Sequence, residues 1–187
     1  MIELWYETHS ISVDNERGIA TGWLPGELSP AGRRLSGELG KRLKERAVQA
    51  IFSSDLHRAV ETAGIARRRW AAPVILDDRL REANYGALNG APLETVHAER
   101  LRRIERPFPD GESYVDVIER TRGFLLSLGQ DWEGTSICIV AHSANRWAID
   151  WLLDRRPIAD SVVAPFAWRP GWRYELDGDW RGRLSGS

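Results

Sequence analysis

Short apolar runs alternate with helical patterns along most of this 187-residue chain. Runs of strand type cover residues 2–7, 49–53, 74–76 and 136–141. The last of them is unbroken in its apolar character, which is typical of a strand buried on both faces of a sheet. Strands that alternate with helices predict an α/β protein, a single-domain three-layer α/β/α fold with a mostly parallel central sheet flanked by helices.

The helical pattern is clearest after Ser29-Pro30, where an N-cap residue is followed by proline at the first helical position. Leu35, Leu39 and Leu43 then recur every four residues along one face. On similar grounds we expect helices over residues 30–46, 55–69, 93–104, 113–128 and 145–153, the third of them polar and on the surface. We expect loops over residues 10–28 and 77–92, and strand-like pieces over residues 166–168 and 172–176. One domain should span residues 1–187, with residues 178–187 as a frayed tail.

Composition and charge exclude several classes of protein. The net charge of −1 gives no overall attraction to nucleic acid or to an anionic membrane, so neither is expected as a partner. Cys138 is the only cysteine, which excludes an intrachain disulfide and a cysteine-type metal cluster. No leader-like or membrane-length apolar segment is recognisable, so we expect a cytoplasmic location. The oligomeric state is left open, with a homodimer as one alternative.

Four chemically active side chains follow predicted strands. His9 and His142 each come just after an apolar run, Arg58 lies at the start of the helix after residues 49–53, and Glu82 follows residues 74–76. The carboxyl ends of parallel strands share one edge of a sheet, so these groups should meet there. Two histidines, an arginine and a carboxyl suit phosphoryl transfer: one imidazole attacks phosphorus, cations neutralise the oxygens, and a carboxylic acid protonates the leaving oxygen.

Each of these residues also has a structural alternative, and for His9 this is a solvated loop residue. Arg58 could pair with Asp55, Glu82 could pair with Arg79 or Arg81, and His142 could be a core histidine with satisfied hydrogen bonds. The other two histidines, His57 and His97, lie among charged residues on predicted helices. We expect both of them to be exposed and not catalytic.

Taken together, the ordered motifs resemble the histidine phosphatase superfamily, the group that contains cofactor-dependent phosphoglycerate mutase. The similarity covers roughly residues 2–153, and a joint match of ordered motifs is more specific than any one of them. The segments that carry it are Thr8-His9-Ser10 with Asn15, Gly22-Trp23, Leu28-Ser29-Pro30-Ala31-Gly32, residues 52–59 with Thr62-Ala63, residues 80–90, Pro109-Asp110-Gly111-Glu112-Ser113, and Val140-Ala141-His142-Ser143.

The resemblance implies a role for each matching residue. His9 would be the nucleophile that accepts the phosphoryl group, and Glu82 would be the acid and base. Arg58, His142 and Asn15 would bind the phosphoryl oxygens. The implied activity is a phosphomonoesterase that forms a phosphohistidine and acts on a small phosphorylated metabolite, with no cofactor and no metal.

The chain departs from the family at the first motif, where Arg-His-Gly is replaced by Thr8-His9-Ser10. Thr8 offers a neutral hydroxyl in place of a guanidinium, and charge-assisted hydrogen bonds are about twice as strong as neutral ones. We expect Thr8 and Ser10 to line the phosphate site, with Arg17 as the first candidate for a compensating cation and Arg146 as the second.

Two alternatives to phosphatase activity follow from this departure. One is a retired phosphatase fold that binds a ligand or partner without turnover. The other is the same pocket repurposed for a less anionic substrate. Trp23 and Trp168 are expected to form an aromatic wall of the substrate pocket, although they could instead pack the C-terminal strands.

Overall fold

The computed structural model describes residues 1–69, 71–166 and 169–185. Seven strands form a five-stranded sheet and a separate two-stranded sheet. The strands are β1 Ile2–Thr8, β2 Ile19–Ala20, β3 Ala50–Ser53, β4 Val74–Leu76, β5 Ala91–Pro92, β6 Ser136–Ala141 and β7 Trp172–Leu176.

Helices connect most of these strands. The α-helices of the described residues are α1 Val13–Glu16, α2 Pro30–Glu45, α3 His57–Ala66, α4 Leu93–Glu99, α5 Tyr114–Ser127, α6 Ser143–Asp154, α7 Ile158–Val163 and α8 Trp180–Ser185. Short 3-10 turns cover Arg67–Arg69, Asp78–Leu80, Gly86–Leu88, Arg100–Arg103 and Gln130–Trp132. None of the helices in the described part of the chain has the length and apolar character needed to cross a membrane.

The large sheet has the strand order β4-β3-β6-β1-β7. Strands β4, β3, β6 and β1 are parallel, whereas β7 runs antiparallel to β1 at one edge. Thr8 pairs with Ala141, and Ser53 pairs with Val140, so β1, β3 and β6 end at the same edge of the sheet. The predicted mostly parallel α/β architecture is therefore confirmed, and this register brings the residues that follow the three strands together.

Both faces of the sheet are buried. Leu4 and Tyr6 belong to a cluster that includes residues of α5 and α6, such as Phe124 and Ile149. Side chains of the opposite face, including Cys138, pack with residues of α2 and α3. Successive strand side chains point to opposite faces, so β1, β3 and β6 contribute to both clusters. This pattern gives the predicted three layers.

Two expectations about local structure need correction, and a third falls mostly outside the described residues. The predicted loop over residues 10–28 contains α1 and β2, and β2 pairs with β5. The predicted frayed tail is wrong for residues 180–185, which form α8, because Trp180 and Leu184 are buried in the cluster with α5 and α6. The strand-like piece over residues 166–168 falls partly on residues 167 and 168, which lie outside the described residues.

Candidate active site

The two predicted histidines meet at the carboxyl edge of the sheet. His9 follows β1 directly, and its backbone N–H donates to the carbonyl of Ala141 at 2.8 Å. His142 follows β6 and is the N-cap residue of α6. The centroids of the two imidazole rings are 5.1 Å apart. The structure thus brings together two residues that are far apart in sequence, as the parallel sheet predicts.

The hydrogen bonds of His9 indicate which ring nitrogen is free to attack. Its Nδ1 lies 2.8 Å from the carbonyl oxygen of Ser10, an acceptor only, so Nδ1 carries the proton. Nε2 then has a lone pair and accepts a hydrogen bond from Nε of Arg58 at 3.2 Å. Burial and the charge of Arg58 lower the pKa of His9 to about 3. His9 is therefore a neutral imidazole, the form required of a nucleophile.

Arg58 occupies the first turn of α3 and is buried. Its Nη2 donates to the carbonyl of Gly22 at 2.9 Å and to Nδ1 of His142 at 3.2 Å. Within the described part of the chain, no carboxylate lies within salt-bridge distance of this guanidinium, because Asp55 pairs with Arg81 at 2.5 Å instead. The alternative pairing of Arg58 with Asp55 is therefore wrong, and the charge of Arg58 is available to an anion.

His142 is fully buried behind Arg58. Because Nδ1 accepts from Arg58, Nε2 carries the proton and donates to Oγ of Ser54 at 3.0 Å. Burial is the largest cause of a pKa well below the ordinary histidine value, followed by the charge of Arg58. Both ring nitrogens are occupied within the protein, and His142 is not among the residues that line the cavity described below. Its contacts here are those of a residue that positions Arg58.

Glu82 is held in place by hydrogen bonds to its backbone carbonyl. The carbonyl of Glu82 accepts from Nε1 of Trp23 at 2.6 Å and from Nη2 of Arg120 at 2.9 Å. One carboxyl oxygen, Oε1, accepts from the backbone N–H of Ala83 at 2.8 Å. Glu82 forms no salt bridge with Arg79 or with the neighbouring arginine at 81, which pair with aspartates. The alternative of an ordinary surface ion pair for Glu82 is therefore wrong.

A cavity of about 480 Å³ opens over these groups. This volume is in the range of small-molecule sites. Six predicted site residues line it, from four separate segments of the chain: Thr8, His9, Ser10, Asn15, Arg58 and Glu82. The arrangement supplies a nucleophile, a cation and a carboxyl within one crevice.

Two further predicted residues, Arg17 and Trp23, do not line the cavity. Arg17 is exposed at the end of α1 and is not among the cavity residues, although its neighbour Glu16 is. Trp23 is not a cavity residue either; its ring lies under Arg81, at 4.7 Å, and its N–H supports Glu82. Trp168 lies outside the described residues.

Sequence reasoning missed two arginines of the cavity, Arg42 and Arg100, and gave Arg146 only as a second candidate. All three line the cavity. Arg42 pairs with Glu7 at 3.2 Å, and Arg146 pairs with Asp150 at 2.6 Å.

Arg100 was placed on a polar surface helix, but it is buried. Its burial could have been predicted from its position four residues after Val96, because residues spaced by four lie on one face of a helix.

Arg120 is a further residue that the motifs did not single out. Its guanidinium donates to the carbonyls of Arg79, Arg81 and Glu82 and forms a salt bridge with Glu112. It therefore fixes the segment that carries the Glu82 carboxyl.

In the described ranges, no group of three or more histidine, cysteine, aspartate or glutamate residues is placed to hold a metal ion.

Comparison with known proteins agrees with this geometry. The model of the histidine phosphatase superfamily (branch 1) matches residues 7–161. The match covers well over half of the chain, and the chain belongs to this superfamily.

Individual relatives and a solved structure are similar to this chain over most of its length or a large part of it. The chain is 29% identical over 161 residues to a Hydrogenobacter thermophilus protein named putative phosphoserine phosphatase 2, covering 82% of this chain and 79% of that one. It is 31% identical over 118 residues to the Bacillus subtilis protein named uncharacterized phosphatase PhoE, covering 63% of this chain and 59% of that relative. The solved structure of Bacillus stearothermophilus YhfR matches with a TM-score of 0.83 at 26% identity, over 94% of this chain and 92% of that one.

Proposed function

We propose that this protein is a phosphomonoesterase that forms a phosphohistidine at His9, acts on small phosphorylated metabolites and needs no metal ion. The observation that carries the proposal is the neutral Nε2 of His9, which faces the buried guanidinium of Arg58 at the cavity that Glu82 also lines. The relatives support the class of reaction, since both are named as phosphatases. The name of the Hydrogenobacter relative suggests a phosphorylated amino acid as the kind of substrate.

In the first step, the lone pair of His9 Nε2 attacks phosphorus. The new N–P bond forms as the P–O bond to the leaving group breaks. Arg58 turns its donors from the histidines to the phosphoryl oxygens, and the side chain of Asn15 adds a neutral donor. Glu82, as the carboxylic acid, gives its proton to the leaving oxygen, so that an alcohol departs.

In the second step, Glu82 acts as the base. Its carboxylate takes a proton from water, whose oxygen attacks phosphorus and breaks the N–P bond. His9 returns to its neutral form, inorganic phosphate is released, and Glu82 is again protonated. Nδ1 of His9 keeps its proton throughout and donates it in a hydrogen bond to the Ser10 carbonyl, which keeps the ring oriented.

Thr8 is the residue on which the alternatives depend. It lines the cavity at the end of β1, where the family has an arginine. Two other arginines that line the cavity, Arg42 and Arg146, are each paired with a carboxylate. Arg58 is the lining arginine that is hydrogen-bonded to His9, so we assign it to the phosphoryl group. With no second cation assigned there, we expect a slower phosphatase than one with the complete motif.

The test is a steady-state assay on a panel of phosphate monoesters in buffer with EDTA. We expect turnover by the wild type and none by His9→Ala, and a phosphorylated peptide that contains His9 after rapid quenching at alkaline pH. His57→Ala is the matched control, because His57 is exposed. A folded wild type that hydrolyses no ester, or a His9→Ala variant as active as the control, would overturn the proposal.

The cytoplasmic location and a homodimer stay proposals as well. Light scattering coupled to gel filtration tests the second: a mass twice that of the 21.2 kDa chain supports it, and the mass of one chain contradicts it.

A further inference from the structure

Arg100 is a buried cation without a carboxylate partner. It begins the 3-10 turn that follows α4, its side chain is only 8% exposed, and it lines the cavity. Its Nη1 reaches the carbonyl of Val162 at 3.4 Å, and its Nε is buried with no hydrogen-bond acceptor. No carboxylate of the described residues lies within salt-bridge distance of it. The hydroxyl of Tyr114 is a neutral neighbour of the guanidinium, so the charge of Arg100 has no carboxylate to balance it at the wall of the cavity.

The other arginines of the cavity differ from Arg100 in this respect. Arg42 and Arg146 are neutralised by Glu7 and Asp150. Among the arginines that line the cavity, only Arg58 and Arg100 lack a carboxylate in the described part of the chain. Isolated charges are expensive to bury unless a counter-charge reaches them. Arg58 has a clear use in binding the phosphoryl group, and Arg100 has none in the reaction described above.

The surroundings of Arg100 hold it in place. Its guanidinium lies over the ring of Trp147, with Cζ 5.0 Å from the ring centroid. Burial and then the charge of Glu82 raise the pKa of Tyr85, and the charges of Arg100 and Arg58 act in the opposite direction. Tyr85, Arg58 and Arg100 all line the cavity, so both cations border the same space. A rigid guanidinium loses little freedom when it binds a planar anion.

We propose that Arg100 binds a second anionic group on the substrate, on the leaving-group side of the ester. The ligand chemistry is an oxyanion, either a carboxylate or a second phosphate, which accepts the in-plane donors of the guanidinium. The substrate class is then a small metabolite with the scissile phosphate at His9 and Arg58 and another anion at Arg100. This inference rests on the proposed phosphatase function, and it adds the chemical nature of the leaving group.

Two pairs of substrates test the inference and separate the two oxyanions. 3-Phosphoglycerate has a carboxylate at the position where glycerol 3-phosphate has a hydroxymethyl group. Fructose 1,6-bisphosphate and fructose 6-phosphate differ in the second phosphate. We expect the wild type to prefer the more anionic member of at least one pair by tenfold or more in kcat/KM. The pair that shows the preference identifies the oxyanion.

Three variants assign the preference to Arg100. Arg100→Gln removes the charge and should reduce the preference at least tenfold. Arg100→Lys keeps a charge without the planar donors and should restore part of the preference, which a purely structural role would not do. Arg102→Gln is the matched control: it lies in the same turn, but its side chain is 78% exposed and outside the cavity. A wild type that treats both members of both pairs alike within threefold, or an unchanged preference in Arg100→Gln, would overturn the inference.

Binding measurements separate this inference from the proposed function. Calorimetry with His9→Ala compares the same ligands without turnover. His9→Ala should bind the more anionic member of a pair more tightly, and His9→Ala/Arg100→Gln should not. This result supports the second anion site even where no wild-type turnover is found. Equal binding of both members of each pair counts against the site, whatever the activity of the wild type.

Discussion

Arg58 donates a hydrogen bond from Nε to Nε2 of His9 across 3.2 Å, so the cation that we propose for phosphate binding already contacts the proposed nucleophile when the cavity holds no substrate. The contact has two effects. It orients the lone pair of His9 toward the place where the phosphate must sit, and it helps to keep the imidazole neutral. The contact thus orders two side chains that come from segments following different strands, β1 and β3, at one edge of the sheet.

We expect Arg58→Lys to lower kcat/KM about a hundredfold. A lysine ammonium is a single point charge and cannot contact His9, His142 and the Gly22 carbonyl together, as the guanidinium does. The measurement is kcat/KM on the best monoester of the panel. Arg34→Lys, on the exposed face of α2, is the control and should leave the constant unchanged. A loss of less than threefold in Arg58→Lys would show that the contacts of the guanidinium are not needed.

Glu82→Gln should lower kcat most for substrates whose leaving group is most basic, because those leaving groups depend most on protonation. An alkyl phosphate leaves as a strongly basic alkoxide, whereas p-nitrophenyl phosphate leaves as a stable phenolate. We therefore expect a loss of about 10²–10⁴-fold for the alkyl ester and a much smaller loss for the aryl ester. The comparison of kcat for the two esters in the variant and the wild type measures this difference.

The control for Glu82→Gln is Glu94→Gln, which changes an exposed carboxyl in the first turn of α4. It should leave both esters unaffected. Equal losses for the alkyl and the aryl ester in Glu82→Gln would mean that the carboxyl does not protonate the leaving oxygen, and the acid would have to be sought elsewhere in the cavity.

Acid should destabilise the fold through His142. Burial and then Arg58 lower its pKa in the folded protein, while the unfolded chain titrates near the ordinary value of about 6.5. As pH falls below that value, the unfolded state binds a proton that the folded state does not, so the free energy of unfolding falls. Between pH 6 and 5 this effect should be about 1 kcal/mol in the wild type.

Urea unfolding of the wild type and of His142→Gln at the two pH values checks this expectation. The variant has no imidazole at this position, so it should lose about 1 kcal/mol less over the same pH step. His57→Gln, which replaces an exposed histidine, should behave like the wild type. Identical pH dependence in all three proteins would mean that His142 is not held neutral.

Sequence reasoning was sufficient for the features that depend on local pattern. The parallel sheet and the meeting of His9 with His142 follow from apolar runs that end in polar residues, and the helix over residues 30–45 follows from its cap and leucine spacing. The helix over residues 180–185 could not be predicted in this way. Its stability comes from burying Trp180 and Leu184 against distant helices, and no periodicity extends over so short a segment.

The candidate site was predictable where a residue directly follows a strand and unpredictable where it depends on tertiary packing. Arg17 is close to the first motif in sequence, yet it is exposed at the end of α1 and does not line the cavity. Arg100 is far from every motif and nevertheless lines the cavity, because α4 and the turn after it pack with Val162 and Trp147. Proximity in sequence was therefore a poor guide to which arginine lines the pocket.

Thr8→Arg tests whether the altered motif is a weakened phosphatase site. Thr8 lines the cavity one residue before the nucleophile, so a guanidinium there would add charge-assisted hydrogen bonds to the phosphoryl oxygens. We expect a gain of about tenfold in kcat/KM for monoesters, equivalent to about 1.4 kcal/mol of transition-state stabilisation. Thr95→Arg adds the same charge at an exposed position of α4 and should leave kcat/KM unchanged, which separates a local contact from the overall charge. A loss of activity in Thr8→Arg alone would contradict the weakened-phosphatase interpretation, because it would mean that the neutral hydroxyl suits a less anionic substrate.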